Sequence, residues 1–242
     1  MSERAPYAKA FFDLQLEFAE RVARLTGLSL ERAVLQYTNF YIRFGLGGDF
    51  DPEHAGWREY AAGLRDAEDR GEWTYRRYLS RRHAVPWPPV VATFGCMSYG
   101  RLGEERIRLH FANADAAGSP LAIERQAQRR TELAALFSHV RRAGGPLVRV
   151  VGASWLYNLE AYRRLFPKSY LATARPVHGR FQRMPLWGQF LDRHGDVKAS
   201  MAERLRERLA RQSTPDGLDD CFPLQVLRLE APVCEFYNFY GV

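Results

Sequence analysis

Apolar residues recur every three or four positions through the first third of the chain. Phe11, Leu14, Phe18, Val22 and Leu25 form one stripe, which stops at Gly27. Ser29 is placed to cap a second helix, striped by Leu30, Val34, Tyr37, Tyr41 and Phe44. Gly45-Leu-Gly-Gly48 ends it, because glycine costs about 1 kcal/mol in a helix interior. Asp51-Pro52 predicts an N-cap with proline at the first helical position, ahead of Trp57, Tyr60, Ala61 and Leu64. A short fourth helix is expected over residues 72–82.

Pro86, Pro88 and Pro89 break this pattern, since proline lacks the N–H and disfavours helix before it. Val90-Val-Ala-Thr-Phe94 and Arg106-Ile-Arg-Leu-His-Phe111 then read as strands, with Tyr99-Gly-Arg-Leu-Gly103 as the hairpin loop between them. Ser119-Pro120 predicts the start of a long helix whose apolar face is Leu133, Leu136, Phe137 and Val140. Leu147-Val-Arg-Val-Val151 has the nearly continuous apolar character of a strand buried on both sides. A helix over 159–166, a strand near 170–174, and helices from Pro185 and over 197–209 are expected next. A loop over 214–220, the strand Leu224-Gln-Val-Leu-Arg-Leu229 and an aromatic tail, Phe236-Tyr-Asn-Phe-Tyr240, complete the chain.

This order predicts an α/β (α+β) fold. A mixed β-sheet flanked by helices occupies residues 86–242, and a helical portion, residues 1–85, packs on it. At 46% hydrophobic and 26% charged, the 242 residues exclude disorder, collagen and coiled coil as overall descriptions. No apolar run approaches the ~20 residues that cross a bilayer, and the first residues lack the pattern of a secretory leader. With three cysteines and no CxxC spacing, a reduced, cytoplasmic protein without a zinc site is expected.

Charge sharpens the picture. Residues 1–85 balance 13 basic against 13 acidic side chains, whereas residues 86–212 hold 21 basic and 10 acidic. The excess points to an anionic partner for the middle of the chain. A solvated basic surface is the plain alternative, because only Lys9, Lys168 and Lys198 are lysine and the arginine bias runs through the whole composition.

Few motifs carry chemistry. Arg193-His194-Gly195 has the tripeptide of histidine phosphatases, but it comes after a predicted helix late in the chain and reads as a helix end. Cys96 lies at a strand end where His110 could approach it as a base; a packed thiol is the plainer reading. The six histidines show no metal-ligand spacing, so no metal site is expected.

Two stretches are more suggestive. Arg125, Arg129 and Arg130 fall in the first turns of the long helix, where free N–H groups hold anions; a solvated helix face explains them too. The buried strand then runs into Gly152-Ala-Ser154, Trp155, Tyr157 and Asn158, which puts polar groups at a strand's carboxyl end, where open α/β sheets bind ligands. Ser154, Trp155 and Arg149 are the expected substrate-binding residues, Arg149 because a guanidinium inside an apolar strand needs a partner. Trp155 and Tyr157 read equally well as core aromatics.

The stretch from the long helix through Asn158, Ala161 and Phe166 resembles the GNAT superfamily of N-acyltransferases, as does the order strand, helix, strand, helix, strand. The resemblance implies transfer of an acyl group from acyl-CoA, as co-substrate, to an amine. Tyr157 or Tyr162 would protonate the leaving thiolate and Glu160 would assist deprotonation of the amine. Arg125, Arg129 and Arg130 would hold the phosphates, and Asn158 would orient the pantetheine arm or a water. Two departures stand beside it. Gln128-Arg-Arg-Thr-Glu-Leu133 lacks the glycines of the family's pyrophosphate loop, and two strands rather than three precede the long helix. The competing class is a non-enzymatic protein whose basic region meets a nucleic acid or an acidic partner, although no nucleic-acid module is recognisable.

Overall fold

The first apolar stripe folds as α1 (Lys9–Thr26), closed by Gly27 in the left-handed region at φ 73°. This is seen in a computed structural model that describes residues 7–80, 89–115, 118–144 and 149–242. In α2 (Leu30–Tyr37) the Ser29 hydroxyl accepts the Arg32 N–H, the expected cap. After α3 (Phe40–Arg43), α4 (Ala55–Asp66) begins later than Asp51-Pro52 predicts. His54 Nδ1 accepts the Gly56 N–H at 3.1 Å, while Asp51 closes a turn onto the Glu53 N–H at 2.9 Å. Asp69 caps α5 (Arg70–Leu79).

The sheet begins with β1 (Ala92–Phe94), β2 (Met97–Arg101) and β3 (Arg106–Phe111). The expected hairpin loop at Tyr99 is thus strand, and Gly95, at φ 59°, makes the tight turn before it. The long helix, α6 (Gln126–Ala143), starts after Ser119-Pro120 and a short 3-10 turn, Ile123–Arg125. Then come β4 (Arg149–Ser154), a 3-10 turn (Trp155–Asn158), α7 (Glu160–Arg163), α8 (Lys168–Ala172) and β5 (Arg175–Pro176). Most of the strand expected near 170–174 is therefore helix. After α9 (Met184–Trp187) and α10 (Ala199–Ala210), β6 (Leu227–Pro232) leads into α11 (Val233–Tyr240), which takes up the aromatic tail. Pro86, Leu147 and Val148 lie outside the described residues.

Two compact units result. One comprises Met1–Trp87 with Gly179–Leu224, the other Pro88–His178 with Gln225–Val242. The split differs from a single boundary at residue 86, because apolar residues of the later segment complete the core of the first helices. Phe18 of α1 packs on Phe181, Trp187 and Phe222, with ring centroids 5.2–5.7 Å apart.

The second unit is a six-stranded mixed sheet in the order β1-β2-β3-β4-β6-β5, antiparallel throughout except for β3 and β4. One face carries the core residues Ile107, Leu109, Val150, Leu229 and Ala231, with Phe137 of α6 stacked on Phe236 and Tyr240 of α11. Side chains alternate along each strand, so Arg106, Arg108, Arg149, Arg228 and Glu230 belong to the other face. No helix among the described residues is long and apolar enough to cross a membrane.

Candidate active site

The sheet parts at its centre. β3 and β4 pair over Arg106–Arg149, Ile107–Val150 and Arg108–Val151 only. Beyond this, Leu109, His110 and Phe111 pair with β2 alone, and Gly152, Ala153 and Ser154 with β6 alone. Two parallel strands that separate after three residues leave backbone N–H and C=O groups aimed between them, and such groups require partners.

The turn Trp155–Asn158 follows β4 directly after the strands part. Ser154 caps it by accepting the Leu156 N–H at 3.1 Å. The Asn158 amide donates to Trp155 O at 2.8 Å and to Gln225 O at 2.9 Å, tying the turn to the chain entering β6. Its nitrogen is therefore engaged in holding the backbone. Arg164, just after α7, donates to Leu121 O at 2.7 Å, which joins the far side of the turn to the approach to α6.

Tyr157 and Tyr162 point into the core, 3% and 2% exposed. The Tyr157 hydroxyl is 2.8 Å from that of Tyr170, and the Tyr162 ring packs edge-on against Tyr157 and Phe111. Burial, reinforced by the neighbouring phenols, pushes both well above the usual tyrosine range, so they keep their protons. Gly152 is needed here, since a Cβ would run into the hydroxyls of Tyr157 and Tyr170. Glu160 stands 83% exposed beside Arg163, away from the core phenols.

The three arginines of α6 separate. Arg129 is buried, and its Nη2 meets Asp115 at 3.2 Å and Glu132 at 3.0 Å. Glu132 in turn accepts the Cys96 N–H at 3.0 Å, binding the β1–β2 turn to the helix. Gly95 leaves room for that carboxylate. Burial raises the Glu132 carboxyl above its ordinary range, more than the Cys96 amide and Arg129 lower it. Arg129 is thus an internal clamp, with Asp115 and Glu132 where the sequence places a phosphate. Arg125 remains partly exposed near Asp115 at 3.5 Å, and Arg130 lies over the Phe239 ring at 4.7 Å.

Arg149 is 43% exposed rather than enclosed, and its Nε donates to Glu230 at 2.6 Å. The Cys96 thiol is buried, accepts the Ala114 N–H at 3.4 Å and is pushed up by that burial. Ser98 rather than Cys96 pairs with His110. Arg193-His194-Gly195 forms a tight turn, with Asp192 accepting the His194 N–H and Gly195 at φ 93°. Among the described residues no group of three or more His, Cys, Asp or Glu is placed to hold a metal ion.

Asp115, Glu132, Arg228 and Glu230 escape a reading by motif. The alternation in Leu227-Arg-Leu-Glu-Ala231 was the available signal for the last two. No family model, no curated protein and no solved structure matches the chain.

Proposed function

We propose that the protein is a GNAT-like N-acyltransferase that moves an acyl group from acyl-CoA to an amine. The observation that carries this is the parting of parallel β3 and β4 in a sheet ordered β1-β2-β3-β4-β6-β5. An extended pantetheine arm, with its own amides, suits unpaired strand edges. Among the described residues three strands precede α6, in keeping with the family's pattern. The missing glycines still stand. With Arg129 clamped, phosphate contact falls to Arg125 and Arg130.

In the transfer the amine nitrogen bonds to the thioester carbonyl carbon, the C–S bond breaks, and a proton passes from nitrogen to sulfur. Tyr157 and Tyr162 are protonated at neutral pH, as a donor to the leaving thiolate must be, although the burial that keeps them so also makes them weaker acids. Glu160 stands exposed beside Arg163 in the first turn of α7.

Acetyl-CoA at a hundredfold excess over its dissociation constant adds about 2.7 kcal/mol of stability. The expected result is a melting temperature raised by several degrees, with free thiol released when primary amines are added. Neither a shift nor thiol release would turn the choice to the non-enzymatic binding protein.

A further inference from the structure

Like charges sit directly opposite one another on the sheet face away from α6. Arg175 of β5 pairs with Arg228 of β6, and Arg106 of β3 lies beside Arg149 of β4. Such neighbours destabilise a sheet. One carboxylate answers them: Glu230 meets Arg149 at 2.6 Å and Arg228 at 3.2 Å. Burial alone would raise the Glu230 carboxyl, yet the two guanidinium groups hold it below its ordinary range. It is fully ionised and already spent on two partners. The Arg228 Nε is buried without a hydrogen-bond partner. Arg175 is exposed, and the Arg228 side chain is 31% exposed.

The position matters as much as the charge. Ala153 of β4 borders the opening and pairs with Arg228, which pairs with Arg175. The row Ala153–Arg228–Arg175 therefore runs from the opening to the sheet edge, with a small residue first and two cations behind it. An anion seated on this row would relieve the Arg–Arg repulsion. A planar guanidinium also recognises carboxylate and phosphate in the same forked way.

We propose that the acyl acceptor is an amine bearing an anionic group, carboxylate or phosphate, held by Arg228 and Arg175 beside the opening. This rests on the N-acyltransferase reading for the word acceptor, but the anion site stands on its own residues.

The test compares three primary amines, 2-aminoethyl phosphate, β-alanine and ethanolamine, with acetyl-CoA as donor and thiol release as readout. Calorimetric titration of the same amines without donor runs alongside. The anionic amines should show a KM roughly tenfold or more below that of ethanolamine, as expected for a hydrogen bond between charged groups. Which of the two is better used tells phosphate from carboxylate. Arg228→Gln and Arg175→Gln should each raise that KM about tenfold while leaving ethanolamine unchanged. Arg204→Gln, an equal loss of charge at an exposed position on α10, should change nothing. Arg175 is on the short edge strand, so its variant stays informative if Arg228→Gln fails to fold. Equal use of the three amines, or an unchanged KM in Arg175→Gln, overturns the proposal and leaves the acyltransferase reading intact. Calorimetric binding of 2-aminoethyl phosphate without any acetyl-CoA response has the reverse meaning. Absence of both removes both.

Discussion

Glu132 shows how a single buried carboxylate ties stability to pH. Its folded pKa lies above the ordinary value of 4.5, chiefly because burial penalises the charged form. Above pH 4.5 the native state therefore holds more proton than the unfolded state, and stability falls as pH rises toward the folded pKa. Glu132→Gln removes that slope. Urea unfolding at intervals from about pH 4 to 7 should show the wild type losing stability relative to the variant as pH rises. Parallel curves would mean that Glu132 ionises as freely in the fold as outside it. His110 contributes the opposite slope: burial, helped by Arg108, pushes its pKa down to about 4, so acid costs stability there in both proteins. The partnership of Arg129 with Glu132 was half legible, since the two stand one helical turn apart. What the pattern of residues did not carry was the β1–β2 turn lying over them, which buries the pair and removes Arg129 from phosphate binding.

Elements with a long, clean period were legible, and short ones were not. α1 and β3 keep to their stripes to the residue or nearly so. β2 was hidden because Met97-Ser-Tyr-Gly-Arg101 carries a glycine and comes just after another, and glycine marks turns unless tertiary pairing overrides it. The candidate site inherits this unevenness. Its location at the end of β4 was readable from Gly152-Ala-Ser154, but the parting of β3 from β4 is a property of the assembled sheet. Asn158 illustrates the difference. Its place past the carboxyl end of a buried strand, and the resemblance to N-acyltransferases, suggested a ligand contact, whereas its amide joins Trp155 to Gln225. Asn158→Ala should lower stability by about 1–2 kcal/mol, two modest hydrogen bonds at an exposed site. Measured against acetyl-CoA, the variant should keep its affinity once folded. A large loss of affinity with unchanged stability would restore the ligand role.

The molecule is two units threaded by one chain that leaves the sheet after β5 and returns to it at β6. Val177 N–H donates to Val226 O at 2.9 Å, so the departing and returning segments lie side by side. Removing residues 1–87 and 179–224 and joining 178 to 225 through an Asn-Gly turn should leave the sheet unit able to fold, since that dipeptide suits adjacent antiparallel segments. The expected outcome is a mixed α/β circular dichroism spectrum and a cooperative urea transition for residues 88–178 joined to 225–242. A featureless, non-cooperative unfolding curve would show that the excursion is part of what holds the sheet. The same threading was illegible from sequence, because helices of residues 179–224 look no different from those of an ordinary sheet connection.

The place of β6 has a consequence for the order of events during synthesis. It lies between β4 and β5, yet it leaves the ribosome after both, and after the whole Gly179–Leu224 excursion. Until then one edge of β4 has no neighbour, and β5, only Arg175–Pro176, has nothing to pair with. A bare edge of this kind is a template for wrong partners. The nascent chain is thus most exposed to aggregation while most of its helices are already complete, and it becomes safe only when β6 slides between β4 and β5.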